Sequence, residues 1–293
     1  LPQTDVRGMD HDLAYRALAA GSIDVTDLYS TDAEIPYYDL LTLKDDRHYF
    51  PTYDALFLCR EDVAPEVHRV LTQLAGRIDA VTIARLNAQA KLDHMPEAQV
   101  AQAFIQDALG VESRIERDHR ADRLLRRTLE HLSMVGLSLV AAVPFAVALG
   151  IVAFRRPRLS RTIFAVADVL QTIPALALLV FLIPWLGIGY APAVVALFVY
   201  SLLPILRNTH AGLADIPLDL RDSADALGLS AVAKLRFIEM PLAARSILAG
   251  IKTAAVINVG TATLGALIGA GGYGQSILTG IRLDDHALIL EGA

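Results

Sequence analysis

Two hydropathy regimes divide the chain. Leu132 to Ala153 holds no charged residue over 22 positions, Val169 to Leu206 none over 38, and Thr253 to Ile281 none over 29. A helix needs about 20 apolar residues to cross the hydrocarbon of a bilayer. The pattern therefore predicts spans at 131–153, 163–184, 190–207 and 246–270, with another starting near 287. Ahead of them the periods are shorter. Ile23–Val25, Leu40–Leu43 and Ala55–Cys59 read as strands between polar turns. Residues 12–21 read as a helix with Asp12 as its cap and Gly21 just past its end. Pro65 to Gly110 is helical in spacing, with Val67, Val70, Leu71 and Leu74 three or four apart, and Pro96 opens a further helix. Strands followed by helices predict part of an α/β domain over 1–110. Residues 111–130, with six Arg and five acids, predict a solvated helix or linker.

Composition sharpens the division. Of 293 residues, 54% are apolar and the mean hydropathy is +0.43, above the ~45–50% apolar share of soluble domains. Residues 1–128 carry 22 acidic and 15 basic side chains, whereas 129–293 carry 10 and 11. An acidic polar half argues against nucleic acid as a partner, because it repels phosphate. The one cysteine, Cys59, excludes an internal disulfide and a cysteine-based zinc site. The eight histidines show no metal-ligand spacing, so no metal is expected. No G-x-x-x-x-G-K-[ST] run is present, so no cofactor is expected on this chain, and any ATP must be used by a partner. The sequence starts at Leu1 without a Met and ends within an apolar stretch, which reads as truncation at both ends.

Loop charges give an orientation. Arg155, Arg156, Arg158 and Arg161 follow the first span, 185–190 has no basic residue, and Arg221, Lys234, Arg236 and Arg245 occupy 208–245. By the excess of Lys and Arg in cytoplasmic loops, the first and third loops lie inside the cell. The N-terminal half is then extracytoplasmic on a multi-pass protein of the cytoplasmic membrane.

Within the spans, Gln171, Asn258 and Thr261 are polar at membrane depth, together with Thr172 and Thr263. Such groups bond across helices or face a water-filled path. Asn258 is the leading candidate for the path. Gly260 to Gly272 is rich in small residues expected to let helices approach, and Pro174 and Pro204 are expected to kink their helices.

The third loop carries a spaced motif: Asp222-Ser223-Ala224, then Gly228, then Ile238 and Pro241. A helix, a Gly turn, a second helix and a Pro stop make a docking element. These residues resemble the E-A-A-x-x-x-G…I-x-L-P coupling loop of bacterial ABC-importer permeases, with Asp for Glu, Ser for the first Ala and Met240 for Leu. Gln171–Leu178, Tyr200–Thr209 and Ile257–Gly272 are similar to the permease subunits of osmoprotectant systems for glycine betaine, choline and carnitine. The resemblance implies an all-α membrane domain of the MetI-like type over 131–293, an ATPase docking on the 208–245 loop, and a second permease copy, as a homodimer.

Gly8–Tyr15, Ile23–Asp32 and Leu43–Ala55 resemble the later part of the substrate-binding proteins of the same systems. This implies a partial type II periplasmic-binding-protein-like domain over 1–110, fused to the permease. In that family tyrosines cage a quaternary ammonium, and the matching positions here are Tyr29 and Tyr53, flanked by Asp27 and Thr31. The chemistry suits the residues. A trimethylammonium group donates no hydrogen bond, while an aromatic face attracts it by about 0.5–2 kcal/mol. The implied activity is ATP-driven import rather than catalysis by this chain. Two alternatives share the pattern: import of ergothioneine or another betaine, and a membrane-anchored ligand sensor whose spans only tether or relay.

Overall fold

The computed structural model describes residues 6–9, 11–51, 53–93, 95–112, 120–283 and 285–293. They form two compact units, one of residues 1–117 with 282–285 and one of 118–281 with 286–293. Residue 12 falls inside the first helix, His11–Ala19, rather than at its cap, and residues 113–119 of the charged segment lie outside the described residues.

The first unit is helical. Helix α1 (His11–Ala19) buries Ala14 and Tyr15 and ends as expected, with Gly21 at φ 68°. One turn follows (α2, Glu34–Tyr37), then α3 (Pro65–Thr72), α4 (Ala80–Lys91) and α5 (Glu97–Leu109). Asp79 caps α4 by accepting from Thr82 N–H at 2.8 Å, and Gly110 at φ 67° closes α5. Lys91 of α4 meets Glu34 at 2.7 Å. The three expected strands do not form: among the described residues there is none. Leu41, Leu43, Leu56 and Leu58 of those segments are exposed. A strand is stable only when a neighbour completes its hydrogen-bond ladder, and here 23–25, 40–43 and 55–59 find no ladder partner. Their apolar content reads as strand, but the pairing that would realise it is absent.

The second unit is built on three long helices: α6 (Arg120–Arg155), α9 (Tyr190–Ala214) and α12 (Met240–Ala262). Helix α6 begins eleven residues before the expected span. The charged segment from Arg120 onward is therefore its first three turns, not a linker. Its 36 residues run about 54 Å at 1.5 Å per residue, longer than the ~30 Å of hydrocarbon, so its charged end projects from the bilayer.

The expected span 163–184 is two helices, α7 (Pro157–Thr172) and α8 (Ala175–Leu186), bent by 96° across Ile173–Pro174. Pro174 lacks the N–H that would continue the ladder. Pro204, by contrast, lies inside an unbroken α9, where Asn208 Nδ2 donates to its carbonyl at 2.8 Å.

The last long span also differs from expectation. Helix α11 (Ala231–Lys234), a π-helical turn (Leu235–Glu239), α12 and a 3₁₀ segment (Thr263–Ile268) form one span, Ala231–Ile268. Pro241 is thus no stop. A proline ring collides with the carbonyl four residues earlier in an α-helix, and the wider π turn before it removes that collision. Helices α13 (Gly274–Arg282) and α14 (His286–Gly292) follow. Helix α14 stands where a further span is expected to start.

Close approach holds within the expected run, where a Cβ on Gly272 would lie 3.1 Å from His131 and Met134 of α6 and one on Gly265 would lie 3.5 Å from Ala193 of α9, and it extends to glycines outside that run. A Cβ on Gly150 of α6 would lie 2.7 Å from Thr209 of α9. One on Gly212 of α9 would lie 2.6 Å from Ser246 of α12, and one on Gly250 of α12 would lie 2.8 Å from the Pro204 carbonyl. Gly260, by contrast, has nothing within 4 Å. Small residues let helices pack where lipid supplies no hydrophobic drive, and Ala142, Ala146 and Ala254 are fully buried at the same seam. Gly250→Ala should therefore cost about 1–3 kcal/mol, the usual range for overpacking, while Gly260→Ala should cost nothing measurable. Thermal unfolding of both variants in one detergent checks this; equal midpoints would refute the packing assignment.

Candidate functional site

In the first unit Tyr29 and Tyr53 stand with ring centroids 6.3 Å apart at 86°. Both are largely exposed. His11 lies 5.3 Å from the Tyr29 ring and 5.3 Å from that of Tyr15. The carboxylate hydrogen-bonded beside these rings is that of Asp32. Asp32 Oδ2 accepts from Tyr29 N–H at 3.0 Å and from the Tyr15 hydroxyl, and meets His11 Nε2 at 2.9 Å. Burial, followed by the hydrogen bond to Asp32, pushes the Tyr15 hydroxyl far above the usual phenol range. Thr31 takes part through its carbonyl, which accepts from Asn87 Nδ2 at 3.0 Å. The signal for Asp32 was its place three residues after Tyr29, where a short acidic side chain reaches back to a backbone N–H.

In the second unit the coupling-loop residues fold as two short helices about a sharp turn. Asp222, Ser223 and Ala224 lie on α10 (Leu218–Ala226); Ala224 is buried, Asp222 and Ser223 are exposed, and Ser223 Oγ donates to Asp219 O at 2.7 Å. Gly228 takes φ 71°, and Leu229 N–H returns to Ala224 O at 3.2 Å, the closure of a Schellman turn that suits glycine. Ser230 caps α11, accepting from Ala233 N–H at 3.2 Å. Lys234 Nζ meets both Asp225 oxygens at 2.7 and 2.8 Å, clamping α11 to α10. Ile238 and Pro241 fall on either side of the junction between the π turn and α12. Around the turn Leu218, Leu227, Val232 and Phe237 are exposed, an apolar patch of the kind that marks an interaction surface.

Sequence reasoning missed what anchors this hairpin. Glu239, 3% exposed, accepts from Arg155 Nη2 at 2.8 Å, and Arg155 also donates to Ala231 O at 3.3 Å. The signal was a lone Glu beside a proline in an apolar run; Arg155 was read only as a topological charge. Arg221 stacks on Phe154 at 4.7 Å. The end of α6 therefore holds both helices of the hairpin.

Asn258 is fully buried. Its Nδ2 donates to Ser138 Oγ of α6 at 3.0 Å and to Ser201 Oγ of α9 at 2.8 Å. Each serine in turn donates to a carbonyl of its own helix, Val135 O and Leu197 O. Asn258 thus joins the three long helices at membrane depth. Gln171 and Thr261 are half-buried, on α7 and α12. At the α7–α8 break the Tyr200 hydroxyl donates to Ile173 O. At the other end of α6, Arg123 forms a two-pronged pair with Glu291 at 3.1 and 3.2 Å, with Arg127 and Arg120 at 3.5 and 3.4 Å. Arg123 holds the Glu291 carboxyl below the usual carboxylate range. Arg123 and Arg127 are therefore not the solvated surface expected of 111–130, whereas Arg120 is.

Residues 123–290 match the family described as the binding-protein-dependent transport system inner membrane component. Residues 2–107 match the substrate-binding domain of the ABC-type glycine betaine transport system. The chain belongs to the first family, and it carries a receptor segment fused to the permease. The choline transport system permease protein OpuBB of Bacillus subtilis is 42% identical over 170 residues, 58% of this chain and 78% of its own length. The osmoprotectant import permease protein OsmW of Salmonella typhimurium is 40% identical over 178 residues, 59% and 83%. The fold is that of a chain of the inward-facing MetNI methionine ABC transporter, with TM-score 0.55 and 24% identity over 61% of this chain and 89% of that one. The membrane half is thus a MetI-like permease domain, as expected.

Replacing Asn258 by Ala removes two interhelical hydrogen bonds, each worth ~0.6 kcal/mol in membrane proteins, and opens a small cavity. The expected loss is about 1–3 kcal/mol, read as a lower midpoint of detergent unfolding. A midpoint equal to that of the unaltered chain would show that the clasp contributes nothing.

Proposed function

We propose that this chain is the receptor-permease subunit of an ATP-driven importer for quaternary ammonium osmoprotectants such as choline, glycine betaine or carnitine. The observation that carries the reading is the union on one chain of a betaine-type receptor segment and a permease bundle with a coupling hairpin. Residues 1–110 are assigned as part of a type II receptor lobe facing the cell exterior, with Tyr29 and Tyr53 as cation-binding rings and Asp27 and Thr31 at their border. ATP is consumed by a separate ATPase that docks on Asp222–Gly228, Ile238, Pro241 and the apolar patch around them. Two copies of the bundle enclose one path, with Gln171 and Thr261 as the polar groups that line it; Asn258, the leading candidate by sequence, is not assigned to the path, because it is fully buried between α6, α9 and α12. Support for the lever role is geometric: α11 continues into α12 as one span, so displacement of the hairpin moves the α12 helix directly.

Three results are expected. Tyr29→Ala and Tyr53→Ala should each weaken choline or betaine binding about tenfold, near 1.4 kcal/mol, by calorimetry on the full chain; unchanged affinity in both would remove the cage. Gly228→Pro cannot hold φ 71°, because proline is fixed near −65°. It should spare ligand binding and abolish ATP-dependent uptake in liposomes, and uptake at the normal rate would rule out the lever. Sidedness is read by thiol labelling of the exposed native Cys59 and of Leu227→Cys in a Cys59→Ser background. An impermeant reagent applied to whole cells should reach the first and not the second. A tether-type sensor would show no ligand-stimulated ATPase in the purified complex.

A further inference from the structure

The side chains that surround Tyr29 converge on one carboxylate. Asp32 Oδ2 receives Tyr29 N–H, the Tyr15 hydroxyl and His11 Nε2, and its side chain is only 15% exposed. Tyr15 is buried under it, so the hub is fixed from the core side. His11 is held by the same oxygen and packs on the Tyr29 ring. Asp32 therefore fixes Tyr29 twice, through its backbone and through the imidazole against its face.

The same arrangement sets the local charge. A ligand cation at the Tyr29 face lies one ring away from the His11–Asp32 pair. With a neutral imidazole the pair carries −1 and attracts a cation; with a protonated imidazole it carries zero. Among the described residues, the other titratable groups facing it are Tyr15 and Tyr29, with Asp27 and Glu34 acting on Tyr15 at longer range.

We propose that Asp32 and His11 are positioning residues of the cation site, Asp32 orienting Tyr29 and the His11–Asp32 pair setting the charge that a quaternary ammonium meets. The proposal rests on the reading of Tyr29 and Tyr53 as cation-binding rings. It adds a selectivity: choline, a net cation, responds to the pair more strongly than zwitterionic glycine betaine, whose carboxylate offsets the change.

The test is equilibrium binding of radiolabelled choline and glycine betaine to the full chain in nanodiscs at pH 8 and pH 5, across the interval in which an imidazole ordinarily exchanges its proton. Asp32→Asn should weaken choline binding tenfold or more at pH 8 and glycine betaine binding less. The unaltered chain should lose choline affinity about threefold or more between pH 8 and pH 5. His11→Phe, which keeps a ring against Tyr29, should bind choline at both pH values with one affinity. Circular dichroism and the unfolding midpoint check that each variant is folded; should Asp32→Asn not fold, the His11→Phe pH comparison decides alone. Choline affinity unchanged in folded Asp32→Asn, or a pH response surviving in His11→Phe, overturns this proposal and leaves the cage intact. No binding of either ligand by the unaltered chain overturns the cage reading and this proposal with it.

Discussion

A peptide carbonyl without a partner in hydrocarbon costs several kcal/mol, and the membrane unit is organised around meeting that constraint where its helices are irregular. At Ile173–Pro174 the ladder breaks and the chain turns by 96°. The carbonyl released there is taken by Tyr200 from α9. The break is therefore a supported joint, and α9 is its support. Ser138, Ser201 and the Asn258 amide nitrogen meet the same constraint by bonding to one another or to a carbonyl of the serine's own helix, whereas Asn258 Oδ1 is buried without a partner among the described residues. Discontinuous helices whose freed groups are met by neighbours are where transporters build substrate paths, and Gln171 lies two residues before this one.

The coupling hairpin shows how a surface element is made stiff. Its outer face is polar and apolar by turns and open to a partner. Its inner face is fixed by Glu239–Arg155, by Arg221 on Phe154 and by Lys234–Asp225. The first two contacts tie the hairpin to the end of α6, and the third ties its two helices together. The π turn belongs to the same design, because it carries the helix past Pro241 without a break.

Legibility followed the range of the interactions. The spans were legible because hydrocarbon selects composition over some twenty residues, and Gly21 and Gly228 because a left-handed turn selects one residue type. The coupling motif was legible in its spacing, although Pro241 was misread as a stop, since nothing local signals a π turn. Strands were misread for the opposite reason: Leu40–Leu43 has strand composition, but a sheet is decided by a partner strand. The hub role of Asp32 was not legible, because only the fold brings Tyr15 and His11 to it. Asn258 was legible as a buried polar group, but its serine partners lie 120 and 57 residues away.

The pairing of Arg123 with Glu291 spans 168 residues. A chain emerging from its N-terminus exposes Arg120, Arg123 and Arg127 long before the buried carboxylate that pairs with them has been made. The bundle can insert its first helix early, yet its electrostatic closure waits for α14. Closure of this ion-pair cluster is thus a late, non-local event, of the kind that slows folding, and α6 is unlatched until it occurs.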